Sequence, residues 1–341
     1  MGSITKLRTT AAELLGLHKK FNTAFSFESS SLGHDEFSKY DAIHAFGVNK
    51  MVAVDSADPF SSIQQFIDDF KNPTWFFSVL GYDLKNHIED LSSNNFDGLG
   101  FHDYLFINPE FVVTENNGNF LLHAIGEESD FLDLLSSTYT SEHKPISLNL
   151  TPRLDKKTYI EKFEIIQKHI QLGDCYELNF CQEFYAQQAQ LDPLGIYLEL
   201  RGKIRSPFMA KVKFGEHHAI CVSPERYLAK RGDLLISQPI KGTAPRGHSE
   251  KMDDFQKKKL NQSLKEKTEN TMIVDLVRND LGKCAVPGGI EVSEFLKVYS
   301  FPNIHQLIST IKAERNKDLS FTDIIKKTFP MGSMTGAPKL K

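Results

Sequence analysis

LLISQPIKGTAPRG at residues 234–247 and KTENTMIVDLVRNDLG at residues 267–282 are the stretches that decide the fold class. The first predicts a strand over 234–240 that meets a tight turn at Gly242, and the second predicts a helix over 268–281 that ends at Gly282. A charged helix is expected between them, over 249–264, and strands are expected upstream over 175–185 and 219–222. Because strands precede helices in blocks, the sequence predicts an α+β fold with antiparallel sheets and flanking helices.

Length and composition restrict the classes of protein to be considered. The chain has 341 residues, which favours two domains, and Ser, Thr and Pro replace the apolar pattern over 136–155. We therefore expect an α+β domain over 1–140 and a second domain over 150–341. The net charge of −4 argues against a nucleic-acid or acidic-membrane partner, and no apolar run is long enough to span a bilayer. Four cysteines without C-x-x-C spacing favour a reducing, cytoplasmic location.

Lys241 and Glu225 are candidates for catalysis because each follows an apolar strand. Lys241 stands directly before Gly242, and it is either a solvated surface lysine or an amine desolvated in a pocket, where it could act as a nucleophile. A turn at Gly232 could bring Glu225 close to it. Glu225 is then either a turn carboxylate paired with Arg226 or a general acid whose pKa the site raises.

Glu269 is the first residue of the face of the second helix that is predicted to be buried, which it shares with Met272, Ile273 and Leu276. With Thr268 as the N-cap, Glu269 falls in the first turn, where the helix dipole favours a negative charge. One interpretation is an ordinary first-turn glutamate, and the other is a ligand for a hard cation, because a buried carboxylate needs a metal or a partner.

Five segments in this order resemble the chorismate-utilising enzyme family, which includes anthranilate, aminodeoxychorismate, isochorismate and salicylate synthases. They are GDCYELNF (173–180), SPERYL (223–228), PIKGTAPRG (239–247), TENTMIVDLVRNDLG (268–282) and FPMGSMTGAPK (329–339). The resemblance implies that family's fold, with antiparallel sheets packed as a sandwich, and a chorismate-binding second domain. The segment FSFESS (25–30) also resembles the L-E-S segment through which some relatives bind tryptophan.

The resemblance also implies a reaction. Lys241 stands where aminodeoxychorismate synthases have P-I-K-G-T and anthranilate synthases have P-I-A-G-T. The resemblance implies that Lys241 attacks C2 of chorismate while Glu225 protonates the leaving C4 hydroxyl. Ammonia then attacks C4 and expels the lysine. The product that the resemblance implies is 4-amino-4-deoxychorismate, a precursor of p-aminobenzoate and folate. Ammonia would come from a glutaminase subunit.

The resemblance assigns the remaining site residues as well. It implies that Glu269 binds Mg²⁺ and that Gly242, Thr243, His305 and Ser333 contact the substrate.

Two departures from the family pattern leave alternatives open. Glu177 stands where the family more usually has glutamine. Family members also continue beyond the segment that ends here at Lys341, so we expect the catalytic domain to lack its C-terminal part. The alternatives are an anthranilate synthase component I and a truncated, non-catalytic paralogue that docks a glutaminase.

Overall fold

The computed structural model describes residues 3–29, 35–53, 58–137 and 148–340. Positions 138–147, where the domain boundary is predicted, lie outside the described residues, so the two contiguous domains stay a prediction. The helices are α1 (Ala11–Gly16), α2 (Pro59–Asp68), α3 (Glu128–Ser136), α4 (Lys156–Leu172), α5 (Pro193–Lys203), α6 (Glu250–Gln262), α7 (Leu264–Gly282) and α8 (Phe321–Thr328). Within the described ranges, no helix is long and apolar enough to cross a membrane.

The strands are short except for one long hairpin. They are β1 (Ser3–Leu7), β2 (Thr23–Glu28), β3 (Ala42–Phe46), β4 (Lys50–Ala53), β5 (Phe77–Leu80), β6 (Tyr104–Asn108), β7 (Phe111–Asn116), β8 (Asn119–Ala124), β9 (Thr151–Pro152), β10 (Glu177–Leu178), β11 (Phe184–Tyr185), β12 (Phe208–Phe214), β13 (His217–Ser223), β14 (Arg226–Arg231), β15 (Leu234–Gln238), β16 (Ile240–Pro245), β17 (Ala285–Ser300), β18 (Ile304–Arg315) and β19 (Gly336–Ala337).

The chain forms two compact units, each made of three segments. The first unit contains Met1–His143, Asp192–Pro224 and Ser320–Lys326, and the second contains Lys144–Leu191, Glu225–Leu319 and Lys327–Lys341. Strands and helices therefore lie in both units, and the sheets are antiparallel throughout the described pairings, as the sequence predicts.

The first unit is built on a seven-stranded sheet in the order β1-β8-β7-β3-β2-β12-β13, beside a smaller sheet β4-β6-β5. Strands β2 and β3 are rich in Phe and Ala and are almost wholly buried, which is why they lie in the middle of the sheet. One side of this sheet packs Phe46 and Phe111 against Phe131 of α3. Burial of these aromatic rings supplies much of the stability of the unit.

The second unit is built on the hairpin of β17 and β18. Strand β18 pairs with β15, β16 and β17, and β14 extends the sheet from β15. Helices α6 and α7 cover this sheet, with Leu260 of α6 packed against Ala244 and Leu307. The buried residues of α7 are Asn270, Ile273, Val274, Val277, Asp280 and Leu281. This arrangement places one end of β16 beside α7.

Two local predictions were wrong. Helix α7 begins at Leu264 with Ser263 as its N-cap, so Thr268 lies inside the helix, where its hydroxyl donates to the carbonyl of Leu264. The predicted strand over 175–185 is reduced to the two-residue strands β10 and β11. Each pairs with an equally short partner, β19 and β9, so tertiary pairing limits the strand to the residues that meet a partner.

Candidate functional site

Lys241 lies in a bulge of β16. The pairing of β16 with β18 shifts register between Ile240 and Thr243, so Lys241 and Gly242 together lie opposite the single residue Leu307, and β16 has one extra residue here. Gly242 has φ +96°, and a Cβ at this position would lie 3.0 Å from Oε2 of Glu266 and 3.3 Å from Cδ1 of Leu260. Only glycine meets both conditions without strain. The bulge therefore fixes the backbone from which the Lys241 side chain extends.

Asn270 of α7 holds this bulge in place. It is fully buried, and its amide donates to the carbonyl of Lys241 (3.3 Å) and to the carbonyl of Leu307 in β18 (3.0 Å). The Asn270 carbonyl oxygen accepts from the hydroxyl of Ser309 (2.7 Å). One side chain thus satisfies the unpaired backbone that a bulge leaves behind.

The amine of Lys241 forms an ion pair with Glu177 of β10. Both side chains are mostly buried, with exposed fractions of 16% and 15%. Of the two interpretations of Lys241, the structure therefore favours the sheltered amine over the solvated one. Its use as a nucleophile stays a prediction.

Glu225 lies just before β14 and lines a small cavity that Ser333 and Gly332 also line. Burial raises the pKa of Glu225 above its ordinary value, and hydrogen bonds from the Ser333 hydroxyl and the Ile240 backbone, with the charge of Lys241, oppose that rise. Lys241 and Glu225 are therefore close enough to interact, as the strand arrangement predicts. A raised pKa is what a general acid needs.

Glu269 lies in the second turn of α7, not in the first, so the predicted effect of the helix dipole on it was wrong. Its side chain is 30% exposed, and Lys265 lies 3.4 Å from its Oε1 and 3.8 Å from Oε1 of Glu266. The described residues contain no cluster of three His, Cys, Asp or Glu side chains that could hold a metal. The donor set fits Mg²⁺ only where substrate oxygens complete the shell, as is usual for this ion.

The other predicted substrate residues have different surroundings. Thr243 is exposed, whereas Ser333 is buried in a short 3-10 helix, Gly332–Met334. His305 is fully buried, with Nδ1 2.9 Å from the Ser300 hydroxyl and Nε2 3.0 Å from Oδ1 of Asp253. Its two ring nitrogens are thus engaged with the protein, and a contact of His305 with substrate stays a prediction.

Asp253 is the acceptor at the centre of this second cluster. Arg246 donates to both carboxylate oxygens (2.7 Å each), and the backbone of Gly247 donates as well (2.8 Å). The Arg246 and Gly247 hydrogen bonds hold the pKa of Asp253 well below its usual range, with a smaller contribution from His305. The cluster joins α6 to β18 by charge-assisted hydrogen bonds.

The alternation over 175–180 puts Tyr176 and Leu178 on one face of the predicted strand and Glu177 and Asn179 on the other. Tyr176 and Leu178 are exposed, whereas Glu177 contacts Lys241 and Asn179 donates to the carbonyls of Ser333 (2.8 Å) and Thr335 (3.1 Å). Polar partners on the inner side decide this orientation. Alternation correctly separates Glu177 and Asn179 from their apolar neighbours, but it does not reveal Glu177 as the partner of Lys241.

A further polar cavity lies in the first unit. It is lined by Glu28, Ser29, Asp41, Ala42, Glu115, Arg201 and Arg205. Arg201 forms an ion pair with the buried Glu28. Burial, followed by the charges of Asp41 and Glu28, raises the pKa of Glu115. Glu28 and Ser29 belong to the segment 25–30, of which Ser30 lies outside the described residues. A tryptophan site here stays a prediction.

Comparison with known proteins gives a family match over most of the chain. The family described as chorismate binding enzyme matches residues 24–341. Aminodeoxychorismate synthase component 1 of Escherichia coli is 32% identical over 306 residues, which cover 83% of this chain and 66% of that protein. The Klebsiella aerogenes protein of the same name is 39% identical over 188 residues, or 55% of this chain and 42% of the relative. The chain thus spans less than two-thirds of the length of these relatives.

Solved structures share the fold. Anthranilate synthase component I of Streptococcus pneumoniae superposes with a TM-score of 0.75 at 21% identity, covering 87% of this chain and 74% of that one. The menaquinone-specific isochorismate synthase of Escherichia coli superposes with a TM-score of 0.76 at 13% identity, covering 99% of this chain and 77% of that one. The α+β architecture predicted from the sequence is therefore confirmed.

Proposed function

This chain belongs to the chorismate binding enzyme family, and from that premise we propose that it is the catalytic subunit of an aminodeoxychorismate synthase. It would convert chorismate and ammonia to 4-amino-4-deoxychorismate. The observation that carries the proposal is the sheltered amine of Lys241 close to Glu225, whose pKa burial raises. Relatives named aminodeoxychorismate synthase component 1 support the same product.

The reaction we propose has two displacements. In its neutral form, the amine of Lys241 forms a bond from Nζ to C2 of the ring and becomes a secondary ammonium, the C4–O bond breaks, and Glu225 gives its proton to the leaving hydroxyl, which departs as water. Ammonia then forms a bond to C4, the C2–Nζ bond breaks, and the new C4 ammonium returns a proton to Glu225. Two easier substitutions replace one difficult substitution.

Other groups support binding. Glu269 would hold Mg²⁺ together with substrate oxygens, and the ion would neutralise substrate carboxylate charge. Gly242, Thr243, His305 and Ser333 are proposed to help bind the substrate. The "component 1" of the relatives' names supports a partner component, which we propose is a glutaminase that supplies ammonia. A cytoplasmic location belongs to the same proposal.

The test is the product formed from chorismate, Mg²⁺ and an ammonium salt. We expect 4-amino-4-deoxychorismate from the full-length protein, and at least about a 100-fold loss of rate in its Lys241→Ala variant, which removes the nucleophile. Fluorescent anthranilate as the product would instead support the function named for a Thermus thermophilus relative, anthranilate synthase component 1, which is 28% identical over 79% of this chain and 62% of that protein. An unchanged rate and product in Lys241→Ala would contradict the covalent mechanism.

A further inference from the structure

The backbone of Glu177 is held firmly although its strand has only two residues. Glu177 pairs with Ala337 in the ladder of β10 and β19. The flanking amides extend this pairing, since Tyr176 donates to the carbonyl of Ala337 (2.7 Å) and Asn179 donates to that of Thr335 (3.0 Å). A Cβ on Gly336 would lie 2.5 Å from the carbonyl oxygen of Glu177, so the two strands approach closely.

The backbone of Lys241 is fixed from the other side. The bulge, the left-handed Gly242 and the hydrogen bond from Asn270 determine where its Cα lies. Four rotatable bonds still separate that Cα from the amine, and a free lysine side chain has about 2 kcal/mol of rotamer entropy. A contact at the far end of the side chain is needed to hold Nζ in one place.

Glu177 supplies that contact. Its Oε1 contacts Nζ of Lys241, whereas its Oε2 is buried without a hydrogen-bond partner among the described residues. A mostly buried carboxylate with one oxygen unpaired contributes little to stability, because desolvation offsets the attraction. Its specific effect is on the position of the amine.

We propose that Glu177 is a positioning residue that holds the Lys241 amine in its place for attack on the ring. This inference rests on the proposed function. Proximity and orientation of a nucleophile account for a large part of many rate accelerations, and a displacement of about 1 Å can cost about 100-fold. Loss of Glu177 therefore affects the chemical step more than substrate binding.

The kinetic test compares Glu177→Ala and Glu177→Gln with the unaltered chain. We expect Glu177→Ala to lower kcat at least about 10-fold, with KM for chorismate within about 3-fold, because the amine is no longer held. Glu177→Gln keeps an oxygen that accepts from Nζ and should restore most of kcat. The positioning role is overturned if Glu177→Ala leaves kcat unchanged, or if Gln is no better than Ala.

A second readout does not depend on activity. The rate at which an amine-reactive reagent modifies Lys241 is measured by peptide mass spectrometry, and Glu177→Ala should raise it at least about 5-fold because a restrained ion pair is lost. Glu183→Ala is the matched control, since it removes the more exposed Arg153–Glu183 pair in the same unit and should leave Lys241 labelling unchanged. Equal labelling in all three chains overturns the proposal.

The two readouts separate the inference from the proposed function. Absence of aminodeoxychorismate with the unaltered chain, or undiminished activity of Lys241→Ala, contradicts the function. The labelling rate still decides whether Glu177 holds the amine.

Discussion

Glu225 must be protonated before it can give a proton to a leaving hydroxyl, and its surroundings contain opposing influences. Burial raises its pKa, while the Ser333 hydroxyl, the Ile240 backbone and the charge of Lys241 stabilise the carboxylate. The balance lies on the side of a raised pKa. Activity that depends on this acid falls as the pH rises through the pKa of Glu225.

Ser333→Ala removes one of the hydrogen bonds that stabilise the carboxylate. The pKa of Glu225 should rise further, so the alkaline limb of kcat/KM should move to higher pH. The measurement is the pH profile of ammonia-dependent product formation. Ser237→Ala, which alters another serine lining the same cavity, is the control and should leave the limb in place. If the alkaline limb of the kcat/KM profile is unchanged or moves to lower pH in Ser333→Ala, Ser333 does not stabilise the Glu225 carboxylate.

At the scale of elements, α7 determines where the strand that contains Lys241 lies. Asn270 joins the helix to β16 and to β18 through three hydrogen bonds, all of them inside the unit. The helix therefore fixes the backbone at Lys241 through buried hydrogen bonds. Truncation of that amide leaves two carbonyls and a hydroxyl without this partner.

Asn270→Ala should destabilise the second unit by about 2–4 kcal/mol, because buried polar groups lose their partners. Hydrogen–deuterium exchange of the β16 backbone amides, measured by mass spectrometry, should be faster in Asn270→Ala than in the unaltered protein. Thr271→Ala is the matched control: the hydroxyl of this exposed neighbour donates within α7, to the carbonyl of Lys267, and its loss should cost less than about 0.5 kcal/mol. Unchanged β16 exchange in Asn270→Ala would refute the link.

Elements with a local cause were predicted from the sequence, and those that depend on distant partners were not. The apolar run 219–222 falls in β13 and the run 234–238 forms β15, because a β-pattern acts over a few residues, but Pro239 divides the strand predicted over 234–240 into β15 and β16. The start of α7 was missed because Ser263 and Thr268 are both good caps, and packing on β16 and β18 favours the longer helix. The Glu177 ion pair depends on β19, from the far end of the chain, which no local pattern reveals.

At the scale of the whole molecule, the predicted site residues all fall in the second unit, whereas the first unit contains a buried polar chain of its own. Lys211 of β12 lies 3.0 Å from Nδ1 of His18, whose Nε2 lies 2.7 Å from the Ser26 hydroxyl, which in turn lies 2.8 Å from Nδ1 of His44. These four side chains are at most 2% exposed. Charge at such depth is costly unless it is fully compensated.

Lys211, the lysine in this row of buried polar side chains, makes the free energy of unfolding depend on pH. Burial, and then the charge of Lys213, lowers the pKa of Lys211 from 10.5 to about 8. The nearby Asp192 opposes this and Lys19 adds to it. The folded state therefore binds fewer protons than the unfolded state between about pH 8 and 10.5. The resulting penalty is fully present below pH 8 and disappears as the pH rises to 10.5.

Lys211→Met should consequently stabilise the first unit at pH 7. The lowered pKa of Lys211 corresponds to a penalty of about 3 kcal/mol in the free energy of unfolding, which the substitution removes. His18 loses its hydrogen-bond partner, which costs about 1 kcal/mol, so the net gain in stability is about 2 kcal/mol. Trp75, the only tryptophan, packs in a core cluster of this unit, so its fluorescence reports urea unfolding there. The gain in stability should shrink between pH 8 and 10, because the unaltered chain loses its penalty over that range.

Lys6→Met, at an exposed position of the same sheet, should change the stability little at pH 7 or at pH 10. A Lys211→Met chain that is less stable at pH 7, by an amount that does not vary with pH, would mean that the buried amine contributes through its hydrogen bond and not through its charge.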